Sequence, residues 1–337
     1  MDGSKMYEVD LAGREDLFHG ICSLEKTADG VMPHRMTARL LDFYRRTNTD
    51  WFVRARGSSS GVRMEFRTAA KKLAMKIRFG DHCRFFYGFD IRCGDRPVGR
   101  FASRTMGEGV EFSQDLPGEG VRTVRIAFPW QSLCDIISFQ LDDVSVIEPN
   151  TYPARPILFL GDSITQGYEA VAPDDAYVPR LALALGRDFF DLGVGGMVLR
   201  SDAVAHALDY PWSTAFLAFG VNDCSKRREL SVFREDVLRS LELLSGRADS
   251  KLYVITPLPW PGCPADQPEE FSLSRYRAVL EECAAKFPSV TLFRGPELMD
   301  ECPENYADKV HPNETGMARI ACRLAERLPE PEGRRTL

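Results

Sequence analysis

Long apolar runs are missing from this 337-residue chain. No window approaches the roughly 18 uninterrupted apolar residues of a membrane span, so no membrane partner is expected. Charge of one sign is also scarce. The net charge of −6 is modest and has the wrong sign for a nucleic-acid partner. Nine cysteines occur without one C-x-x-C pair. That removes the usual zinc spacing, and an odd, scattered set does not read as a secreted disulfide framework. The thiols read instead as small buried hydrophobes in a reducing cytosol. The opening "MDGSKMYEVDLAGRED" lacks the apolar h-region of a signal peptide, so a cytoplasmic location is expected. There is no internal repeat and no low-complexity tract beyond a polar tail at 331–337. The serine-hydrolase elbow G-x-S-x-G is absent too, which excludes that one signature but not serine chemistry.

What is present divides in two. The length suggests about two domains, and 44% hydrophobic with 27% charged residues is the composition of an ordinary globular protein. From about residue 50 to 147 the pattern has period two. Val62, Met64 and Phe66 alternate with Arg63, Glu65 and Arg67; Leu73, Met75, Ile77 and Phe79 alternate with Ala74, Lys76 and Arg78. Val124, Ile126 and Phe128 alternate, as do Ile137, Phe139 and Leu141. Such alternation marks strands with one buried face. With turn signals such as "GSSSG", "CGDRP" and "LPGEG" between them and no convincing helix, residues 1–150 are expected to form a β-sandwich or jelly roll.

After "EPNTYPARP" the rhythm changes. Short apolar runs ("ILFL", "FFDL", "AFLAF", "LYVIT", "VTLF") alternate with helical segments such as "FREDVLRSLELLSG" and "ETGMARIACRLAERL". Strands without alternation are buried on both faces, so residues 151–330 are expected to form a parallel sheet between helical layers. Ligands of such sheets bind beyond the carboxyl ends of the strands. The residues following each run therefore matter most.

Those residues carry chemistry. Gly161-Asp162-Ser163 follows the first run, "GVGG" (193–196) the second, and "GVND", with Asn222 and Asp223, the third. "DKVHPN", with Asp308 and His311, precedes the last helix. A serine hydroxyl needs a base to become nucleophilic. His311 can be that base, because an imidazole titrates near neutrality. Asp308, three positions earlier, can accept the other ring N–H and fix the tautomer. An ester attacked by Ser163 would develop an oxyanion. The Ser163 amide, a glycine amide of "GVGG" and the Asn222 side chain can surround it, each such donor being worth roughly 2.7–4 kcal/mol. Glycine suits the second position because the backbone must approach closely.

These four segments, in this order, resemble the blocks of the SGNH (GDSL-type) hydrolase superfamily. The resemblance covers roughly residues 156 to 328. It implies a flavodoxin-like three-layer α/β/α domain, with Ser163 as nucleophile, His311 as base and Asp308 as its partner. The implied oxyanion donors are Ser163, Gly196 and Asn222, Gly196 matching the block-two glycine better than Gly195. Asp191 departs from the asparagine common before the glycine segment, which should affect loop anchoring more than chemistry. "SSSGVRMEFRTAAKKLAMKIRF" is similar to the N-terminal β-sandwich of two-domain members, among them acetyl esterases acting on carbohydrates and some acyltransferases.

Blander roles compete for every residue named. Ser163 can simply cap the following helix, and Asn222 can be a turn residue. Asp16-Leu-Phe-His19 repeats the D-x-x-H spacing far from any strand end. Cys224 is a rival nucleophile with no second histidine to serve it. His34, His82 and His206 read as packed or surface residues, and Asp142-Asp143 as a solvated turn. Asp162, Gly195 and Trp260, the last in the Pro-rich "PLPWPGCPADQP", are candidate pocket residues. The expected activity is a serine esterase with no cofactor and no metal. Its substrate would be a short-chain ester, most simply an acetyl ester, of a carbohydrate or small molecule. Acyl transfer by the same acyl-enzyme is the alternative. A carbohydrate-binding protein with an inactive hydrolase domain is a third reading. Self-association is compatible with all three.

Overall fold

A computed structural model describes residues 5–328; the tail at 331–337 lies outside the described residues. The chain separates into two compact units: 1–37 with 52–153 and 171–174, and 38–51 with 154–170 and 175–337. Two short segments thus cross the division expected near residue 150.

The first unit contains two antiparallel sheets. One runs in the order Ser23–Lys26, Val31–His34, Ser132–Leu141, Lys72–His82, Gly109–Asp115. The other runs Glu148–Pro149, Arg63–Thr68, Arg122–Ala127, Tyr87–Cys93, Arg96–Ser103. Met64, Phe66 and Phe89 of one sheet share a single core with Met75, Ile77 and Phe139 of the other, as two facing sheets require.

Two sequence expectations need correction here. Arg63 and Glu65 do not face water: they are 1% and 2% exposed. Arg63 Nε pairs with Glu65 Oε1 at 2.7 Å, and Tyr152 and Asn150 donate to Glu65 Oε2 at 2.6 and 2.9 Å. Arg125 lies 3.5 Å from Glu65 and 2.6 Å from Asp174. Mutual pairing lets the second face of this strand close as well. The other correction concerns helices. α1 (Ala38–Thr47) and α2 (Thr49–Arg56) fall within the expected β region. Leu40 and Tyr44, four apart, give α1 its buried stripe, and Asp42 pairs with Arg45 and Arg46, the i,i+3 and i,i+4 pattern of a solvated helical face.

The second unit is built on five parallel strands: β1 (Ile157–Gly161), β2 (Phe189–Asp191), β3 (Thr214–Ala218), β4 (Lys251–Ile255) and β5 (Val290–Phe293). Their order, β2-β1-β3-β4-β5, is flavodoxin-like. Phe159, Phe216 and Tyr253 are aligned across β1, β3 and β4 and stack at 4.9 and 4.8 Å. They share a core with Tyr177, Leu181, Met317 and Ile320 of the helices Tyr177–Ala184 and Glu314–Arg327. Leu158, Leu217 and Val254 point the other way and are equally buried, so helices cover both faces, as the unbroken apolar runs demand. No helix of the described residues is long and apolar enough to cross a membrane.

Candidate active site

β1 stops at Gly161 and α3 (Ser163–Gln166) starts at once. The cap of this short helix is Asp162, not Ser163: Asp162 Oδ1 accepts from the Ile164 amide at 3.0 Å. The helix ends at Gly167, whose φ of 96° is left-handed and therefore suits glycine. Ser163 is left at the first helical position with its hydroxyl uncommitted to capping. That hydroxyl lies 2.9 Å from His311 Nε2.

The histidine is fixed from its other side. His311 Nδ1 lies 2.7 Å from Asp308 Oδ2, and a carboxylate can only accept, so Nδ1 carries the proton and Nε2 is left to accept from Ser163. Asp308 Oδ1 accepts from the amides of Val310 and His311, both at 2.6 Å. Partial burial opposes the charge on Asp308, but the bonds from the His311 ring and from the two amides outweigh it and hold the carboxyl below its usual range. Its side chain is nevertheless 46% exposed. Asn313 caps the helix Glu314–Arg327, accepting from Thr315 and Gly316 at 3.0 and 3.1 Å. The loop 305–313 is closed by Ala307 N donating to His311 O at 2.9 Å.

The second segment supplies amides. Asp191 Oδ1 accepts from Gly193 at 2.8 Å, the loop-anchoring role expected at this position. Gly195 donates its amide to Gln166 Oε1 at 2.7 Å, and its α-carbon backs so closely on Tyr168 that an added Cβ would meet the phenol oxygen at 2.4 Å. Gly196 has a left-handed φ of 72°. Its amide makes no hydrogen bond among the described residues, nor does that of Ser163, while Asn222 Nδ2 gives one hydrogen to Met197 O at 3.1 Å and keeps the other. Asp223 bridges Leu199 N at 3.2 Å and Arg228 at 2.9 Å. Burial pushes its carboxyl up to about 6 against the pull of Arg228.

Other candidates take structural places. Asp162 is fully buried; burial, with repulsion from Asp223 adding to it, raises its carboxyl to about 7. It lines an apolar cavity of about 40 Å³ with Ile164, Thr165, Leu258, Val310 and Ile320; neither Ser163 nor Trp260 lines it. The Pro-rich loop carrying Trp260 braces the histidine loop: Gly262 N donates to Lys309 O at 2.9 Å and Tyr306 Oη to Pro259 O at 2.8 Å. Burial pushes the Cys224 thiol up to about 11, the reverse of an activated nucleophile. Asp16 pairs with Arg14 at 2.9 Å and His34 with Glu25 at 2.7 Å. Asp142 and Asp143 accept from turn amides.

Sequence reading missed four neighbours of this site. Gln166 holds Gly195. The Tyr168 ring lies 5.5 Å from that of His311. Glu169, itself at a φ of 68°, brings a carboxylate oxygen within 4.8 Å of ligand atoms of both Asp308 and His311. This spacing would suit a divalent cation, although the His311–Asp308 hydrogen bond already engages two of the three groups. The fourth neighbour, Trp51, donates to Gly196 O at 3.2 Å. Only Gln166 had a sequence signal, since it lies within the nucleophile segment.

Residues 159–319 match the model of the GDSL-like Lipase/Acylhydrolase family. No curated protein sequence matches the chain. Among solved structures, the chain is similar to the salicylyl-acyltransferase SsfX3 from a tetracycline biosynthetic pathway (TM-score 0.80, 18% identity, covering 91% of this chain and 92% of that one). It is also similar to a family two carbohydrate esterase from Cellvibrio japonicus (TM-score 0.65, 13% identity, 96% of each chain). A third is the acetyl xylan esterase Est2A from Butyrivibrio proteoclasticus (TM-score 0.61, 12% identity, 96% of each chain). At such identities the likeness is one of fold, and it extends over both units. Residues 159–319 form a GDSL-like lipase/acylhydrolase domain.

Proposed function

We propose that the protein is a serine esterase acting on short acyl esters, most simply acetyl groups on a carbohydrate or small-molecule hydroxyl. The observation that carries this reading is the unbroken relay from Ser163 Oγ through His311 to Asp308, with spacings of 2.9 and 2.7 Å. His311 Nε2 takes the Ser163 proton as Oγ attacks the carbonyl carbon. The oxygen that becomes negative accepts from the Ser163 and Gly196 amides and the spare Asn222 N–H. The alcohol leaves with the proton returned from Nε2, and water activated by the same nitrogen releases the acid. Asp308 stays ionised throughout and stabilises the imidazolium that forms in each half-reaction.

Turnover of p-nitrophenyl acetate against the octanoate ester tests the chain-length claim, and faster octanoate turnover would refute it. Ser163→Ala should abolish turnover with the fold intact. An acyl acceptor other than water is the second reading. It is favoured by the higher TM-score to an acyltransferase, 0.80 against 0.65 for a carbohydrate esterase. Product analysis with alcohols competing against water decides between them.

A further inference from the structure

The glycine turn that presents Gly196 is held by two residues outside every motif. The Gly196 carbonyl accepts from Trp51 Nε1 at 3.2 Å and from Lys226 Nζ at 2.6 Å. The ammonium also lies 5.6 Å from the centre of the Trp51 ring, within reach of a cation–π contact. Trp51 is 5% exposed, whereas Lys226 is exposed. Trp51 comes from 145 positions away in sequence, in the segment 38–51 that belongs to the second unit.

The geometry has a simple origin. Asn222 and Lys226 stand four apart at the two ends of the short helix Val221–Ser225, with Lys226 as its C-cap, so they project from one side of the turn. Asn222 takes the carbonyl of Met197 and Lys226 that of Gly196, two consecutive carbonyls of one strand of backbone. Glycine at a φ of 72° has no side chain to hold it and many accessible conformations. Two donors on one carbonyl oxygen fill both its lone pairs and hold the Gly196–Met197 peptide; with the Gly195 amide already held by Gln166, the intervening peptide, which carries the Gly196 N–H, is fixed on both sides.

We infer that Trp51 and Lys226 are positioning residues that clamp the Gly196 carbonyl and thereby keep the Gly196 amide directed at the developing oxyanion. This rests on the esterase reading of Ser163. The clamp contributes to transition-state binding, since an ester carbonyl gains most from an aligned amide only once it becomes tetrahedral.

The test uses the full chain, p-nitrophenyl acetate, and an alkyl boronic acid that forms a tetrahedral adduct on a serine hydroxyl. Trp51→Phe keeps the packing and removes the N–H; Lys226→Met removes the charge. Each should lower kcat about tenfold with KM changed by less than about twofold, and weaken the boronic acid by about the same factor as kcat. Lys226→Arg should recover most of the loss. Should Trp51→Phe fail to fold, Lys226→Met at its exposed position carries the test. Wild-type kcat in Lys226→Met, or a loss confined to KM with boronic acid affinity intact, overturns the clamp alone. Turnover that survives Ser163→Ala overturns the esterase reading, and the clamp with it.

Discussion

Asp162 and Ser163 divide two tasks: the aspartate caps the helix, its Oδ1 accepting the Ile164 amide at 3.0 Å, and the serine hydroxyl faces His311 Nε2 at 2.9 Å. The capping carboxyl is fully buried, and burial, with repulsion from Asp223, raises it to about 7.

A folded-state value above the ordinary one means the native protein holds a proton that the unfolded chain has released. Asp162 therefore costs stability as pH rises from about 4 towards 7, and the cost levels off above that. Asp162→Asn keeps the accepting oxygen without the titration. It should be more stable than wild type by a margin that widens across that interval to about 4 kcal/mol at most, read from urea melts at each pH. A margin that narrows with rising pH would contradict the assignment.

Asp308→Asn removes both the acceptor for Nδ1–H and the charge that favours imidazolium. We expect kcat to fall by roughly 10²–10³, with the melting temperature nearly unchanged because the side chain is half-exposed. Glu169 leaves a carboxylate within 4.8 Å of the ring, so Asp308→Asn/Glu169→Gln should lose about tenfold more than Asp308→Asn alone. Equal rates for the single and double variants would show that Glu169 does not reach the imidazole.

The parts of this site that a linear reading identifies are those carried by contiguous segments. Gly161-Asp162-Ser163 and Asp308 to His311 each hold their geometry within a single turn, so order along the chain and strand-end placement suffice to name them. The family resemblance favours Gly196 over Gly195, but the physical reason, the Gln166 side chain that consumes the Gly195 amide, is not legible in sequence. Trp51 was invisible because a contact across 145 positions leaves no periodicity. The helical pair at 38–56 lies at the edge of the period-two stretch that begins near residue 50, so the β expectation for residues 1–150 covered it. Arg63 and Glu65 misled for a physical reason: alternation of charged and apolar residues looks the same whether the charges meet water or each other.

That buried cluster makes its own prediction. Burial opposes the charge on Glu65, but Arg63, Arg125 and the Tyr152 hydroxyl outweigh it and hold the carboxyl below its usual range. Glu65→Gln leaves two guanidinium groups without their shared partner and should cost about 3–5 kcal/mol at neutral pH. A folded value below the unfolded one means wild type holds this advantage above the ordinary carboxylate range and loses it as pH falls through the folded value. Urea melts at neutral and acid pH should therefore converge for the two proteins at the acid end. A constant gap would show that the Glu65 charge is not what holds the cluster.

Asn222 separates binding from chemistry most cleanly. One of its amide hydrogens is spent on Met197 O, which fixes the side chain, and the second is available to an oxyanion. Asn222→Ala should lower kcat by roughly 10²–10³ while KM moves by less than about threefold, because a ground-state carbonyl gains little from a donor placed for the tetrahedral oxygen. Asn222→Asp is the sharper variant, since it puts an acceptor and a negative charge where a donor is required, and it should be slower than Asn222→Ala. If Asn222→Asp matches or exceeds Asn222→Ala in kcat, the side chain faces away from the developing charge, and the third oxyanion donor must be sought elsewhere.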